Sequence, residues 1–209
     1  FTTAREVTDL SGRGVGMDVV RRNVRAGRLI YSTDIASFAA KSQAMFMAED
    51  SHFYIEEAAL KLARLAGKDA ILVIVTPVPV GTAARIEQKL KAAGVGRTVV
   101  SHPIFVTDGC AVEDFNWPDR IVLGTASPQA VALIKQIYRP LAMRGVPVIV
   151  TNHETAELVR EATTAFVATK ISFINELAGL CEHVSADAVD LALALGLDKK
   201  IAPRCLQPG

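Results

Sequence analysis

Three places in the sequence hold residue types that could do chemistry: the glycine-rich run Ser11-Gly-Arg-Gly-Val-Gly16, the loop His102-Pro-Ile-Phe-Val-Thr-Asp-Gly109, and the cysteines Cys110, Cys181 and Cys205. A dinucleotide fingerprint needs Gly-x-Gly-x-x-Gly directly after a hydrophobic strand, so that backbone N–H groups at a helix start can cradle a pyrophosphate. Here the glycines are spaced two by two, and the stretch before them, Phe1 to Leu10, is polar. The cysteines form no Cys-x-x-Cys pair and no metal-ligand spacing, so they read as reduced thiols in a cytosolic protein, with no metal expected. A lone loop histidine such as His102 reads as a surface or capping group.

Composition narrows the class. The 209 residues suffice for one sizeable core, or one domain with an appendage. Half are hydrophobic and 22% are charged, a globular balance. A net charge of +1 gives no reason to expect nucleic acid or an acidic membrane surface as partner. No apolar run approaches the ~20 residues of a membrane span. The opening Phe-Thr-Thr-Ala-Arg-Glu is not a signal peptide and lacks an initiator Met, so the sequence is expected to be a fragment or a processed piece.

The elements that must position any site follow from the apolar pattern. Ala70-Ile-Leu-Val-Ile-Val75 is β-branched and does not alternate, as a strand buried on both faces should be. Arg97-Thr-Val-Val-Ser101, Arg120-Ile-Val-Leu-Gly124 and Pro147-Val-Ile-Val-Thr151 are similar, and Ala44-Met-Phe-Met-Ala48 is a shorter candidate. Between them lie helices with recognisable ends. One runs from His52 to Ala66 and stops at Gly67. Another is capped by Thr82 and stops at Gly94, and a third opens on Ser127-Pro128. Thr151-Asn-His-Glu154 reads as a capping box for a long helix, and Ser185 as the cap of a last helix ending near Gly196. Strands alternating with helices predict an α/β fold: a partial Rossmann-like parallel sheet with crossover helices, then the long helix and a small helical dimerisation region.

The long helix, from about Asn152 to Val184, should span roughly 50 Å. One stripe runs through Ala156, Val159, Thr163, Phe166, Lys170, Phe173, Leu177, Leu180 and Val184, and a second through Val167, Ile171, Ile174, Ala178 and Cys181. A helix apolar on two sides must be covered on two sides. The sheet can cover only part of it, so the rest predicts small helices after Ser185 and a second copy of the chain, a homodimer.

Two resemblances add to this reading. The first 24 residues, Phe1 to Val24, resemble a glycine box of chemotaxis-type histidine kinases, which there lines an ATP pocket; one box cannot make an ATP site. From about Gly27 to Gly209 the chain resembles the UDP-glucose and GDP-mannose type dehydrogenases. The landmarks are Val78-Pro-Val-Gly-Thr82, Ala111-Val-Glu-Asp-Phe-Asn-Trp-Pro-Asp-Arg-Ile-Val-Leu-Gly124, the helix ending in Leu180-Cys-Glu182, Gly196-Leu-Asp198 and Leu206-Gln-Pro-Gly209. The two resemblances meet near Gly16 to Ala26, as in a recombined sequence. Domain limits follow: 1–26 of different resemblance, 27–151 a partial Rossmann-like NAD-binding domain, and 152–209 the long helix with an incomplete helical dimerisation region.

The resemblance implies a cytoplasmic enzyme that uses NAD to oxidise the C6 hydroxyl of a nucleotide sugar to a carboxylate through a cysteine-bound intermediate. UDP-glucose is the default substrate, with UDP-hexosamine and GDP-mannose as alternatives. By family position Asp108, Arg160 and Thr164 are the catalytic candidates. Phe105, Val106, Arg160 and Thr164 are implied as substrate contacts, and Thr76 and Asp108 as cofactor contacts. Several positions depart from the pattern. The family's first loop acid is Ile104, which cannot accept a proton. A threonine near the nicotinamide is Pro77, with Thr76 one residue away as a stand-in. The family lysine is Arg160, which keeps the charge but not a titratable proton, and the family asparagine is Thr164. The catalytic cysteine would follow Gly209, and Cys205 reads as core. Trp117 and Arg120 read as turn and packing residues, and Glu176 and Glu182 as a solvated edge or dimer contacts. This chain is therefore expected to be incomplete and inactive alone, the alternative being a non-catalytic sugar-nucleotide-binding or dimerisation remnant.

Overall fold

A computed structural model describes residues 23–30, 32–48, 54–107, 109–198 and 201. The glycine-rich run at 11–16, Asp108 and Cys205 lie outside the described residues. Among the described residues, five short strands form one sheet in chain order: β1 (Ala44–Met47), β2 (Ile71–Ile74), β3 (Thr98–Ser101), β4 (Ile121–Gly124) and β5 (Val148–Thr151). β1, β2 and β3 are parallel neighbours, with Met45 opposite Leu72 and Leu72 opposite Val99. β4 and β5 are also parallel.

The sheet is mixed, which corrects the expectation of an all-parallel one: β3 and β4 run antiparallel and meet only at Ser101 and Gly124. The connection between them explains it. A parallel return needs a crossover, usually a helix laid across the sheet. The segment from β3 to β4 holds only α4 (Ala111–Asn116), six residues with none buried.

The other connections do cover the sheet. Helices α2 (Ile55–Leu65) and α3 (Thr82–Ala92) pack Ile55, Ala59, Ile86 and Leu90 against Leu72, Ile74 and Val99. On the opposite face Ala130 and Ile134 of α5 (Pro128–Ile137) meet Ile71, Val73, Val100, Ile121 and Leu123. Successive β2 residues thus feed alternate faces of the sheet, as the period of two requires. The short α1 (Ile35–Lys41) precedes β1, and α6 (Arg139–Ala142) follows α5. At the sheet's edges β1 leaves Phe46 40% exposed, and β5 leaves Ile149 and Val150 nearly half exposed.

The last two helices are α7 (His153–Val184), 32 residues long as expected, and α8 (Ala188–Leu197). Ile174 of α7 and Ala192 of α8 form the small core between them, with Leu177 and Leu195 against it. The first turns of α7 lie on β4, where Gly124 comes so close that a Cβ there would sit 2.6 Å from the Ala156 Cβ. No helix among the described residues is long and apolar enough to cross a membrane.

Helix starts differ from expectation at three places. Gly81, with φ +88°, occupies the cap position of α3; Thr82 is the first helical residue, and its hydroxyl donates to the Pro79 carbonyl. Thr151 cannot cap α7 because it is still in β5, paired with Gly124; Asn152 caps instead, accepting from the Thr155 amide at 2.9 Å. Ser185 ends α7 in the left-handed region at φ 59°, so Asp187 caps α8 through the Val189 and Asp190 amides. Ser127 followed by Pro128 opens α5 as expected, and Gly94 follows α3 at φ +68°.

Candidate functional site

A cleft opens where the C-terminal ends of β2 and β3 face the start of α7. Its walls are the turn after β2 (Thr76, Pro77, Val78), the end of β3 (Ser101, His102, Pro103) and the helix residues Glu157, Arg160 and Glu161. The outer ends of parallel strands are where open α/β sheets bind ligands.

The start of α7 holds both walls. The Glu157 carboxylate is 5% exposed and accepts from the Gly81 amide at 2.6 Å and the Ala83 amide at 2.8 Å. It therefore occupies the N-terminus of α3, whose unpaired N–H groups and positive dipole end suit an anion. One turn on, the Arg160 Nη1 donates to the Ile104 carbonyl at 2.6 Å, tying down the loop after β3. Ser101 Oγ sits between Glu157 and His153, 3.4 Å from Glu157 Oε1 and 3.1 Å from His153 Nδ1. His153 Nε2 in turn lies 3.5 Å from Glu87 Oε1. The hydrogen bond from His153 holds the Glu87 carboxyl below its ordinary range, against the opposing effect of burial.

Of the residues singled out in the sequence, Thr76 and Arg160 meet in this cleft. Thr76 Oγ1 donates to the Met47 carbonyl at 3.4 Å. Phe105 and Val106 lie instead around a neighbouring, more apolar pocket with Phe115, Tyr138 and Leu141. Thr164 is exposed, and its hydroxyl donates back to the Arg160 carbonyl at 3.3 Å. Ile104 has its side chain packed on the core and offers the cleft only its carbonyl. Arg120 has the packing role expected of it, with its guanidinium 4.0 Å over the Phe105 ring and a hydrogen bond to Thr163 Oγ1. Trp117 is 66% exposed under the Arg144 guanidinium. Cys110 is exposed, Cys181 is buried, and both are free thiols.

His102 is not a surface group. It is 3% exposed, with Nδ1 2.9 Å from the Val122 carbonyl and Nε2 2.9 Å from the Tyr138 hydroxyl. A carbonyl only accepts, so Nδ1 carries the proton and Nε2 accepts from Tyr138. Burial pushes the imidazole pKa below its ordinary value, outweighing the opposing bond to Val122. The folded chain thus binds this proton less readily than the unfolded chain. The stabilisation from the neutral ring is complete above the unfolded pKa of about 6.5 and is lost as pH falls below it. Urea midpoints should therefore decline between pH 7.5 and pH 5.5, and His102→Gln should flatten that decline. The perturbed carboxylates, Asp34, Glu56 and Glu87, have lowered pKa values and contribute only at lower pH. An equal decline in His102→Gln would assign the effect elsewhere.

Glu157, Ser101 and His153 were not foreseen. The available signal was an acid beside Ala156 at the start of the long helix's apolar stripe, three residues before Arg160.

The mixed α/β sheet with its cleft at the strand ends defines a Rossmann-like scaffold. Residues 14–142 match the NAD binding domain of the UDP-glucose/GDP-mannose dehydrogenase family, and residues 154–209 match that family's central domain. The chain belongs to this family. It is 44% identical over 156 residues to a UDP-glucose 6-dehydrogenase of Rickettsia typhi, covering 75% of this chain and 36% of that protein. With the Rickettsia prowazekii UDP-glucose 6-dehydrogenase it shares 39% identity over 185 residues, 86% of this chain and 43% of the relative. The solved UDP-glucose dehydrogenase of Pyrobaculum islandicum superposes with a TM-score of 0.80 at 30% identity, covering 94% of this chain and 48% of the other. The chain thus spans less than half the length of these relatives.

The described residues do not by themselves fit a complete dinucleotide. A pyrophosphate wants the free N–H groups of a helix start. The start of α3 is taken by Glu157 and that of α5 by Ser127, while the first turn of α2 carries Glu56 and Glu57.

Proposed function

We propose that this chain is part of an NAD-dependent UDP-glucose 6-dehydrogenase, and that these residues alone hold the nucleotide sugar without turning it over. The observation that carries the proposal is Arg160, a part-buried cation fixed at the mouth of the cleft by the Ile104 carbonyl. A guanidinium suits the diphosphate of a nucleotide sugar because its planar fork can donate two parallel hydrogen bonds. Thr164 one turn on and the backbone of Phe105 and Val106 are the further sugar-nucleotide contacts in this reading, with Thr76 and Asp108 toward the cofactor. No step of the oxidation is assigned to them.

Turnover lacks its nucleophile among the described residues. Cys181 is buried, and Cys110 caps the short α4 away from the cleft lining. Without a thiolate no covalent intermediate forms, and Ile104 supplies no base. The division near Thr151 into an NAD-binding part and a helical part, a cytoplasmic location, and a homodimer through α7 belong to the same reading. Phe166, Phe173, Leu180 and Val184 are each more than half exposed along α7, an apolar stripe that a second copy would cover.

The test is calorimetric titration with UDP-glucose beside an NADH assay at 340 nm with UDP-glucose and NAD. Binding without NADH formation is the expected result. No binding would overturn the proposed site, and NADH formation would overturn the assignment of a missing nucleophile. A single species of one-chain mass in sedimentation velocity would count against the homodimer.

A further inference from the structure

The buried acid of the cleft carries an inference beyond that reading, though it rests on it where the ligand is concerned. Glu157 has almost no access to solvent, yet it is not paired with a lysine or arginine in the described hydrogen bonds. Its partners are the Gly81 and Ala83 amides and the Ser101 hydroxyl. A buried carboxylate is costly unless donors satisfy it, and backbone N–H groups at a helix start are such donors. Ser101 lines the cleft, and Gly81 and Ala83 follow the turn whose Thr76, Pro77 and Val78 line it. Gly81 ends the turn that begins at Thr76, and Ser101 directly precedes the residues 102–107 loop that Arg160 holds. Glu157 and Arg160 are three apart on one helix and so share a face.

We propose that Glu157 is the positioning residue of this cleft: by fixing the Gly81 turn and the end of β3 to the same helical turn, it sets where Arg160 presents its guanidinium. Glu157 does not touch the ligand in this arrangement, and it acts through Arg160. The start of α3, a ready anion site in many α/β proteins, is closed by the chain's own carboxylate, so an incoming diphosphate meets Arg160 instead.

The test uses Glu157→Gln, which keeps the side chain's shape and removes its charge. It also sets an amide NH2 where the carboxylate accepted two amides. Without ligand, the Arg160 side-chain resonances should lose their separate positions and move to those of a freely rotating arginine. Amide exchange at Gly81 and Ala83 should rise. With UDP-glucose as probe, Glu157→Gln and Arg160→Met should each weaken binding about tenfold, the loss of one charge-assisted hydrogen bond. The double variant should be no weaker than the weaker single, because one residue acts through the other. A merely structural role would not give that non-additivity.

Unmoved Arg160 resonances in Glu157→Gln, or additive losses in the double variant, would overturn the proposal. If the unsubstituted chain binds no UDP-glucose, the ligand reading fails, and the Arg160 resonances alone decide whether Glu157 positions it. If Glu157→Gln does not fold, Glu157→Asp takes its place. Its shorter carboxylate reaches fewer of the amides, and Arg160 resonances intermediate between held and free are then expected. Unchanged resonances would overturn the proposal there too.

Discussion

Gly124→Ala should destabilise the chain by about 3 kcal/mol or more, a large effect for a single methyl group. The added Cβ would lie 2.6 Å from the Ala156 Cβ, 2.8 Å from the Asn152 carbonyl oxygen and 3.0 Å from the His153 Cα. Two of these three atoms are backbone at the start of α7, and no rotamer change moves them aside. The packing of α7 on β4 must open instead. Gly124 also ends β4 and makes both the parallel pairing with Thr151 and the one bridge to Ser101, so the strain falls on the middle of the sheet. Chemical denaturation would read the loss. Adding Ala156→Gly should recover only part of it, because the Asn152 carbonyl remains. A loss below about 1 kcal/mol would show that α7 can retreat from the sheet cheaply.

Leu72→Ala should cost about 3–5 kcal/mol. Leu72 is fully buried at the centre of β2, opposite Met45 on one side and Val99 on the other. It packs on the face covered by α2 and α3, whose Ile55, Ala59, Ile86 and Leu90 are themselves held at 0–1% exposure. Close-packed neighbours on every side leave the cavity little room to collapse. Leu158→Ala on α7 is the control: that side chain is 53% exposed, and its loss should stay within about 0.5 kcal/mol. Equal losses at the two positions would mean that Leu158 is covered in solution, as a partner chain on the α7 surface would cover it.

The fold was largely legible because the strands carry a strong signal. The run at 70–75 reads as a strand buried on both faces, and β2 feeds alternate residues to two separate cores. The 32-residue helix was legible from its sustained apolar spacing. Direction within the sheet was not, since the β3–β4 reversal depends on how the chain returns through a connection whose helix buries nothing. Cap positions slipped where two rules competed: Thr151 is a good cap by type, but its backbone is already committed to β5. His102 defeated the reading of a loop histidine because its partners, Val122 and Tyr138, lie 20 and 36 residues away. The site includes Thr76 and Arg160, to which the resemblance pointed. It was illegible at Glu157, Ser101 and His153, which come together only when strand ends and a helix start converge.

The length of α7 gives its contact with the sheet a mechanical meaning. A helix of 32 residues is about 48 Å long at 1.5 Å per residue. Its first turns are seated on β4 at Gly124 and pinned by Asn152 and Glu157, while most of its length lies beyond the sheet. It is a lever with its fulcrum at one glycine. A tilt of about 5° there would swing the far end sideways by about 4 Å, so a disturbance too small to see at the cleft becomes a lateral shift of several ångströms wherever that far end is engaged.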